Sequence, residues 1–416
     1  MAEQLSNLIA NIYLVSITLG TDEITKAISF RDCNIYEGID DLIPTCTLRV
    51  YLPIDLVNQS PSLLMDGAKI TINIQTKSDF EMFQMNETYN FRLCGVDDIQ
   101  IDSYFINCTI YGIFDCYKLF EDGNQYNAKA NSSEIVCKIA GACGLQCEKD
   151  GTSDKQLWIA GEKNARDFIK YMAKYGYIDG TSGIFWCVTK EKKLLYKNII
   201  KAFNGGCSGG NCKAFIPAAG PGGENKTSSD QSQKQAGQIS AAWTYSTIST
   251  NLKNGDNNIN HGGYGGKDNY FKLKGYKLEK AGCNQNCACS GCCNISKELS
   301  QGLGTIWPGF DVGNHYNNYF KAARQNERVL ASFSTELYAF CQFLQPIKVG
   351  EVLNVVYSYT YYNSEEKIGP FKTLSGKALV SSNRIELSPA GASNYVTLVM
   401  QGIQTTDSQR EEGGSY

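Results

Sequence analysis

A chain of 416 residues is too long for one simple core, and its size predicts roughly two to four domains. Hydrophobic residues at 42% and charged residues at 19% describe an ordinary folded protein, while 40 glycines, 25 tyrosines and 18 phenylalanines favour loops, β structure and contact surfaces. The net charge of −3 gives no basic field for nucleic acid, no apolar run is long enough for a bilayer, and Met1-Ala2-Glu3-Gln4 lacks the basic start of a signal peptide, so folding is expected in a cytoplasm.

Residues 1–115 read as a first β domain. Ile12–Leu19 is its opening strand, Gly38–Pro44 a loop, and Cys46–Leu52 a further strand. In Lys69–Ile74 the side chains of Ile70, Ile72 and Ile74 face inward and Lys69, Thr71 and Asn73 outward, the period-two signature of a half-buried strand. Met82–Asp115 supplies a long hairpin.

Residues 116–200 read as a small α+β domain of two helices and a hairpin. The first helix has Ser132 as expected N-cap, an apolar stripe of Ile135, Val136, Ile139 and Ala140, and an end at Gly144. The second starts near Asn164, buries Ala165, Phe168, Ile169 and Met172, and stops at Gly176. Ile184–Thr189 and Leu194–Tyr196 form the hairpin, with Lys190-Glu191-Lys192-Lys193 as a solvated tip.

Residues 201–305 form a Gly/Ser/Cys-rich insertion. From Asn204 to Lys267 the composition cannot bury enough apolar surface to offset ordering entropy, and loops or a partner-dependent arm are expected, with Trp243 and Tyr245 pinning a short strand. Tyr270–Leu278 is a further strand.

Residues 306–416 hold a second β domain and a polar tail after Gln404. Leu353–Tyr361 alternates as one strand. Ala378–Val380, Ile385–Leu387 and Tyr395–Gly402 follow, separated by Ser381-Ser382-Asn383 and Pro389-Ala390-Gly391 turns. This block repeats the first domain. Gly67–Ile74 aligns with Gly350–Tyr357, Phe91–Gly95 with Lys372–Gly376, Asn107–Ile113 with Val396–Ile403, and Cys46–Leu52 with Phe333–Ala339. The reading is a mainly β fold: two antiparallel β-barrels flanking a small α+β domain.

The stretch Asn164–Tyr177, followed by Phe185-Trp186 and Leu195–Asn198, resembles the helix and hairpin of baseplate (tail) hub proteins of contractile-tailed bacteriophages and of the base of the type VI secretion spike protein. Pro346–Val352, Gly376–Val380 and Tyr395–Val399 are similar to the ending of that family. The resemblance implies barrels like those of tail-tube protein and a homotrimer adapting a six-fold tube to a three-fold central spike. It implies tube, spike and other baseplate (wedge) proteins as partners, and DNA only in transit through the lumen. It further implies a place in the virion tail after assembly in the host cytoplasm, and neither membrane insertion nor catalysis. Two barrels per chain fit this by symmetry, since six sites met by three chains need two copies each. The alternative is a β-rich receptor- or glycan-binding tail module.

The densest chemical feature is Cys283, Cys287, Cys289, Cys292 and Cys293. Thiolates so spaced can hold zinc or an iron–sulfur cluster, can form disulfides once particles leave the cell (with Cys207 and Cys212 as partners), or can stay free. Cys46, Cys94, Cys108 and Cys187 sit in strands and are expected to be buried. Gly206–Gly210 matches G-x-S-x-G without the strand-turn-helix setting, and the two histidines, His261 and His315, lie in loop-like sequence, so serine hydrolysis is not expected. The pairs Asp40-Asp41, Asp97-Asp98 and Glu365-Glu366 read as solvated turns rather than glycosidase acids, as do Asp115 and Glu121. No catalytic residue and no cofactor is assigned.

Overall fold

The computed structural model describes residues 12–19, 22–23, 29–39, 43–77, 84–121, 127–205, 213–217, 242–252, 268–274, 277–283, 305–310, 319–361, 367–370, 374–389 and 391–401. The first β unit contains β1 (Ile12–Leu19), β2 (Asp22–Glu23), β3 (Ser29–Gly38), β4 (Thr45–Pro53), the short helix α1 (Ile54–Gln59), β5 (Lys69–Lys77), β6 (Asn86–Ile101) and β7 (Phe105–Phe114). Its strands alternate as the sequence dictates: Ile70, Ile72 and Ile74 are buried with Leu48, Val50, Phe91 and Ile110.

The α+β segment follows, with β8 (Asn127–Ala130), α2 (Ser132–Ala142), β9 (Gln146–Lys149), β10 (Gln156–Ile159), α3 (Ala165–Tyr175), β11 (Ile184–Val188), β12 (Lys193–Asn198) and α4 (Ile199–Gly205). Its apolar stripes pack into the same core as the first β unit, so Trp158, Phe168 and Tyr196 share one continuous interior with Ile70 and Phe114. The N-terminus of α2 differs from expectation. Asn131 is the N-cap and Ser132 the first helical residue, and the orphan donors turn to a distant acid instead. Ser132 N–H and Oγ–H donate to the Asp154 carboxylate at 2.8 and 2.5 Å, and Tyr177 N–H donates to it at 3.0 Å.

Beyond it lie β13 (Lys213–Pro217), β14 (Ala242–Tyr245), β15 (Thr247–Leu252), β16 (Asp268–Lys274), β17 (Lys277–Cys283) and β18 (Thr305–Phe310). The expected loop-like arm therefore supplies strands. Phe215, Trp243 and Tyr245 are anchors enough to enter the second core beside Leu353, Val355 and Leu398. The single strand expected at Tyr270–Leu278 is an antiparallel hairpin, β16 with β17. Next come α5 (Tyr319–Ala331), β19 (Thr335–Cys341), β20 (Val352–Val355), β21 (Ser358–Tyr361), β22 (Lys367–Pro370), β23 (Gly376–Ser388) and β24 (Gly391–Met400). The long strand expected over Leu353–Tyr361 breaks after Val355, and Ser358–Tyr361 pairs separately with Lys367–Pro370. The turn expected at Ser381–Asn383 is a bulge within one continuous strand. Helix α5 ties the second unit to the α+β segment: the Asn326 amide donates to the carbonyls of Ala173, Lys174 and Gly176 at 3.1, 2.9 and 2.9 Å, capping the end of α3.

The two β units repeat one another in detail. Gly67 and Gly350 both hold left-handed backbone, at φ 82° and 79°. Gly67 N–H donates to the Leu93 carbonyl at 2.8 Å and Leu93 N–H to the Ala68 carbonyl at 2.8 Å; Gly350 N–H donates to Val380 at 2.9 Å and Val380 N–H to Glu351 at 2.8 Å. One residue on, each long strand bulges, β6 at Cys94 and β23 at Ser381. The bulged side chains make the same bond, Cys94 Sγ–H to the Tyr111 carbonyl at 3.4 Å and Ser381 Oγ–H to the Thr397 carbonyl at 3.1 Å.

Equivalent strands are thus β5 and β20, β6 and β23, β7 and β24, β4 and β19, β3 and β15. The register differs from the sequence alignment beyond the first pair. Leu93 corresponds to Val380 rather than Leu374, Gly112 to Leu398 rather than a residue near Gly402, and Cys46 to Leu337 rather than Phe333. The slips at Leu93 and Cys46, six and four residues, are even, and an even slip keeps inward and outward sets in place, so alternation cannot detect it.

Most pairs are antiparallel, though β13 runs parallel to both β14 and β20. Both units belong to one 14-stranded sheet, and among the described residues no strand pair closes it into a barrel. No helix among them is long and apolar enough to cross a membrane.

Candidate assembly interface

The repeats meet through a strand that alternation did not reveal. Ser29–Gly38 carries Arg31, Asp32, Asn34 and Glu37, too polar to stand out, yet β3 pairs with β4 on one edge and with β23 on the other. The β23 contacts run from Ser382 opposite Gly38 to Leu387 opposite Cys33. The second half of β23 thereby bridges the units: one edge stays paired with β24 while the other takes β3, and Ile385 and Leu387 sink beside Cys33 and Ile35 in the first core. An open groove along this junction is lined by Tyr36, Tyr338, Phe340, Arg384 and Tyr395, with Arg384 stacked 4.2 Å from the Tyr395 ring centroid.

The hairpin tip expected to be solvated is a wedge at the same junction. The Lys190 side chain is only 7% exposed, because its ammonium pairs with Glu87 of β6 at 2.8 Å and lies 5.6 Å from the Tyr89 ring centroid. Glu191 pairs with Lys348 of the second unit at 3.3 Å. Between them sits Glu37 of β3, buried to 5% exposure. Burial pushes its carboxyl up to about 7 against the pull of Lys190, and Glu191 and Glu87 push it further.

The sign of the consequence follows. The folded chain keeps a proton that the unfolded chain releases above its ordinary pKa of 4.5, so stability falls as pH rises from there through about 7. The wild type is expected to lose up to ~3 kcal/mol of unfolding free energy between pH 5 and 8 from this group, and Glu37→Gln to lose little of it. Urea titrations at the two pH values measure the difference; equal losses in both proteins would contradict the assignment.

Among the described residues, the expected chemical residues form no catalytic constellation. Cys283 ends β17, while Cys287, Cys289, Cys292 and Cys293, with Cys207 and Cys212, lie outside the described residues, as do Gly206–Gly210, His261, His315, Asp40-Asp41 and Glu365-Glu366. Asp97 and Asp98 are exposed on β6. Asp115 accepts from Arg92 Nε at 2.8 Å, a structural pair. Among the described residues, no group of three or more His, Cys, Asp or Glu could hold a metal ion.

Cys46, Cys108 and Cys187 are buried as expected, but Cys94 is exposed, since the bulge turns its side chain outward. A disulfide not anticipated from spacing joins Cys137 of α2 to Cys147 of β9, its Cα atoms 5.2 Å apart. A helix followed by a strand folding back over ten residues was the available signal.

No protein-family model matches the sequence, nor does any curated protein. Solved structures nevertheless share its fold over more than nine-tenths of the chain. The 43 kDa tail protein of prophage MuSo2 from Shewanella oneidensis superposes with a TM-score of 0.53 over 93% of this chain and 98% of its own, at 10% identity. A tail protein from Neisseria meningitidis MC58 does so with a TM-score of 0.53 over 94% of this chain and 97% of its own, also at 10% identity. The likeness is one of fold, and it agrees with the resemblance to baseplate hub proteins drawn from Asn164–Tyr177 and the C-terminal strands.

Proposed function

We propose that this protein is a structural baseplate hub of a contractile tail: a homotrimer whose six β units adapt a six-fold tube to a three-fold central spike. The observation that carries the reading is the repeat, in which the same glycine conformation, bulge and side-chain bond recur in both halves of one chain. Three such chains present six equivalent units. In this reading residues 1–115 and 306–416 carry tube-like barrels, the second completed by strands from the 201–305 insertion, and 116–200 braces them.

The partners are tail tube protein, the spike and neighbouring baseplate proteins, and the chain travels in the virion tail after cytoplasmic assembly. With a net charge of −3, DNA passes through the lumen without being held, and the chain neither catalyses a reaction nor enters a membrane. The purified chain should run at three times 45.9 kDa in light scattering and co-sediment with tube protein of the same tail. A monomer that ignores tube protein would overturn the reading.

The aromatic groove of Tyr36, Tyr338, Phe340 and Tyr395 favours one other reading, a receptor- or glycan-binding tail module. Saturable binding of an oligosaccharide, abolished by Tyr395→Ala, would support it.

A further inference from the structure

Inside one chain, the second half of β23 holds β24 on one edge and β3 on the other. The repeat contains a second copy of each partner, and these copies stand apart. The counterpart of the β23 end is Val96–Ile101 of β6, and the counterpart of β3 is β15, which pairs with β19 as β3 pairs with β4. Among the described residues neither outer edge has a strand partner. Exposure records the difference: Ile101 is 73% exposed where its equivalent Leu387 is 0%, and Leu252 is 49% exposed where its equivalent Glu37 is 5%. An unpaired edge that exposes large apolar side chains such as Ile99, Ile101 and Leu252 is a template for another chain.

We propose that Val96–Ile101 of one protomer pairs antiparallel with Thr247–Leu252 of the next, so that each seam between copies reproduces the β23–β3 junction within a copy. The proposal rests on the trimeric reading for the number of copies; the seam itself is read from the repeat. Its two halves are different surfaces at different places, so the contact is head-to-tail and must close into a ring or run on as a filament. Transferring the internal register sets Val96 opposite Leu252, Asp97 opposite Asn251, Gln100 opposite Ser249 and Ile101 opposite Ile248.

Ile248 already packs at the border of the second core, so Ile101 would enter that core as Leu387 enters the first. The seam departs from the internal junction at one point. Asp98, at φ 53°, and Ile99 form a second bulge in β6 that β23 lacks.

The test uses the full chain, with mass photometry for assembly and circular dichroism for folding. Val96→Lys combined with Leu252→Lys places like charges across the seam and is expected to convert the trimer to 45.9 kDa monomers with an unchanged spectrum. Val96→Lys with Leu252→Glu is expected to restore the trimer. Should the double-lysine chain fail to fold, Ile101→Lys, at a side chain exposed in the lone chain, gives the same loss by a separate route. A trimer that survives either folded lysine variant overturns the seam and leaves the ring standing. A wild-type monomer overturns the ring and the seam together.

Discussion

Asp154→Ala is expected to lower the unfolding free energy by about 3–5 kcal/mol, the larger part of what a typical domain has to lose. Asp154 is fully buried and is the shared acceptor for three donors: Ser132 N–H, Ser132 Oγ–H and Tyr177 N–H. Truncation strands the two N–H donors where water cannot replace the acceptor and leaves Ser132 Oγ–H only Thr152 Oγ1 at 3.2 Å, and a buried donor without a partner costs about 1–3 kcal/mol. The carboxylate also sits at the start of α2, where the helix dipole favours negative charge. Asp154→Asn keeps an acceptor while removing the charge, and should recover about half the loss. Urea denaturation followed by far-UV circular dichroism measures both; a loss under ~1 kcal/mol for Asp154→Ala would show that the donors find other partners.

Lys190→Ala is expected to cost about 3 kcal/mol, the low end for breaking a buried pair, because it removes a buried cation and leaves a partly exposed counter-charge uncompensated. Here that charge is the Glu87 carboxylate, with Glu37 close by. The cost should be greater at pH 8, where Glu37 has ionised, than at pH 5, where it holds its proton. Equal losses at both pH values would show that Glu37 carries none of the penalty and that the Glu87 pair and the packing over Tyr89 account for it.

These two residues mark where reading the sequence stopped working. Patterns that report on one element alone were legible. Strand β1 coincides with the opening strand expected over Ile12–Leu19, and α3 begins after Asn164, whose side chain accepts from Asp167 N–H at 2.8 Å as an N-cap should. The glycines before β5 and β20 were aligned correctly, since both need the same left-handed backbone.

What failed depended on distant partners. Asp154 caps a helix that begins 22 residues earlier, which no local window displays. Lys190 looked like a charged turn because its partners lie on β6, about a hundred residues away in the chain. Strand β3 is polar because its two edges, rather than an apolar face alone, hold it in place. The strands Lys213–Pro217 and Thr247–Leu252 were obscured by their glycine-rich surroundings, whereas Trp243 and Tyr245 do pin the short strand expected of them, Ala242–Tyr245.

Top-view class averages of the purified chain by electron microscopy measure the central idea directly. The repeat predicts closed rings of six similar lobes related by three-fold symmetry, at a mass of three times 45.9 kDa. Single particles without a ring, or rings whose lobes do not come in pairs per chain, would contradict it.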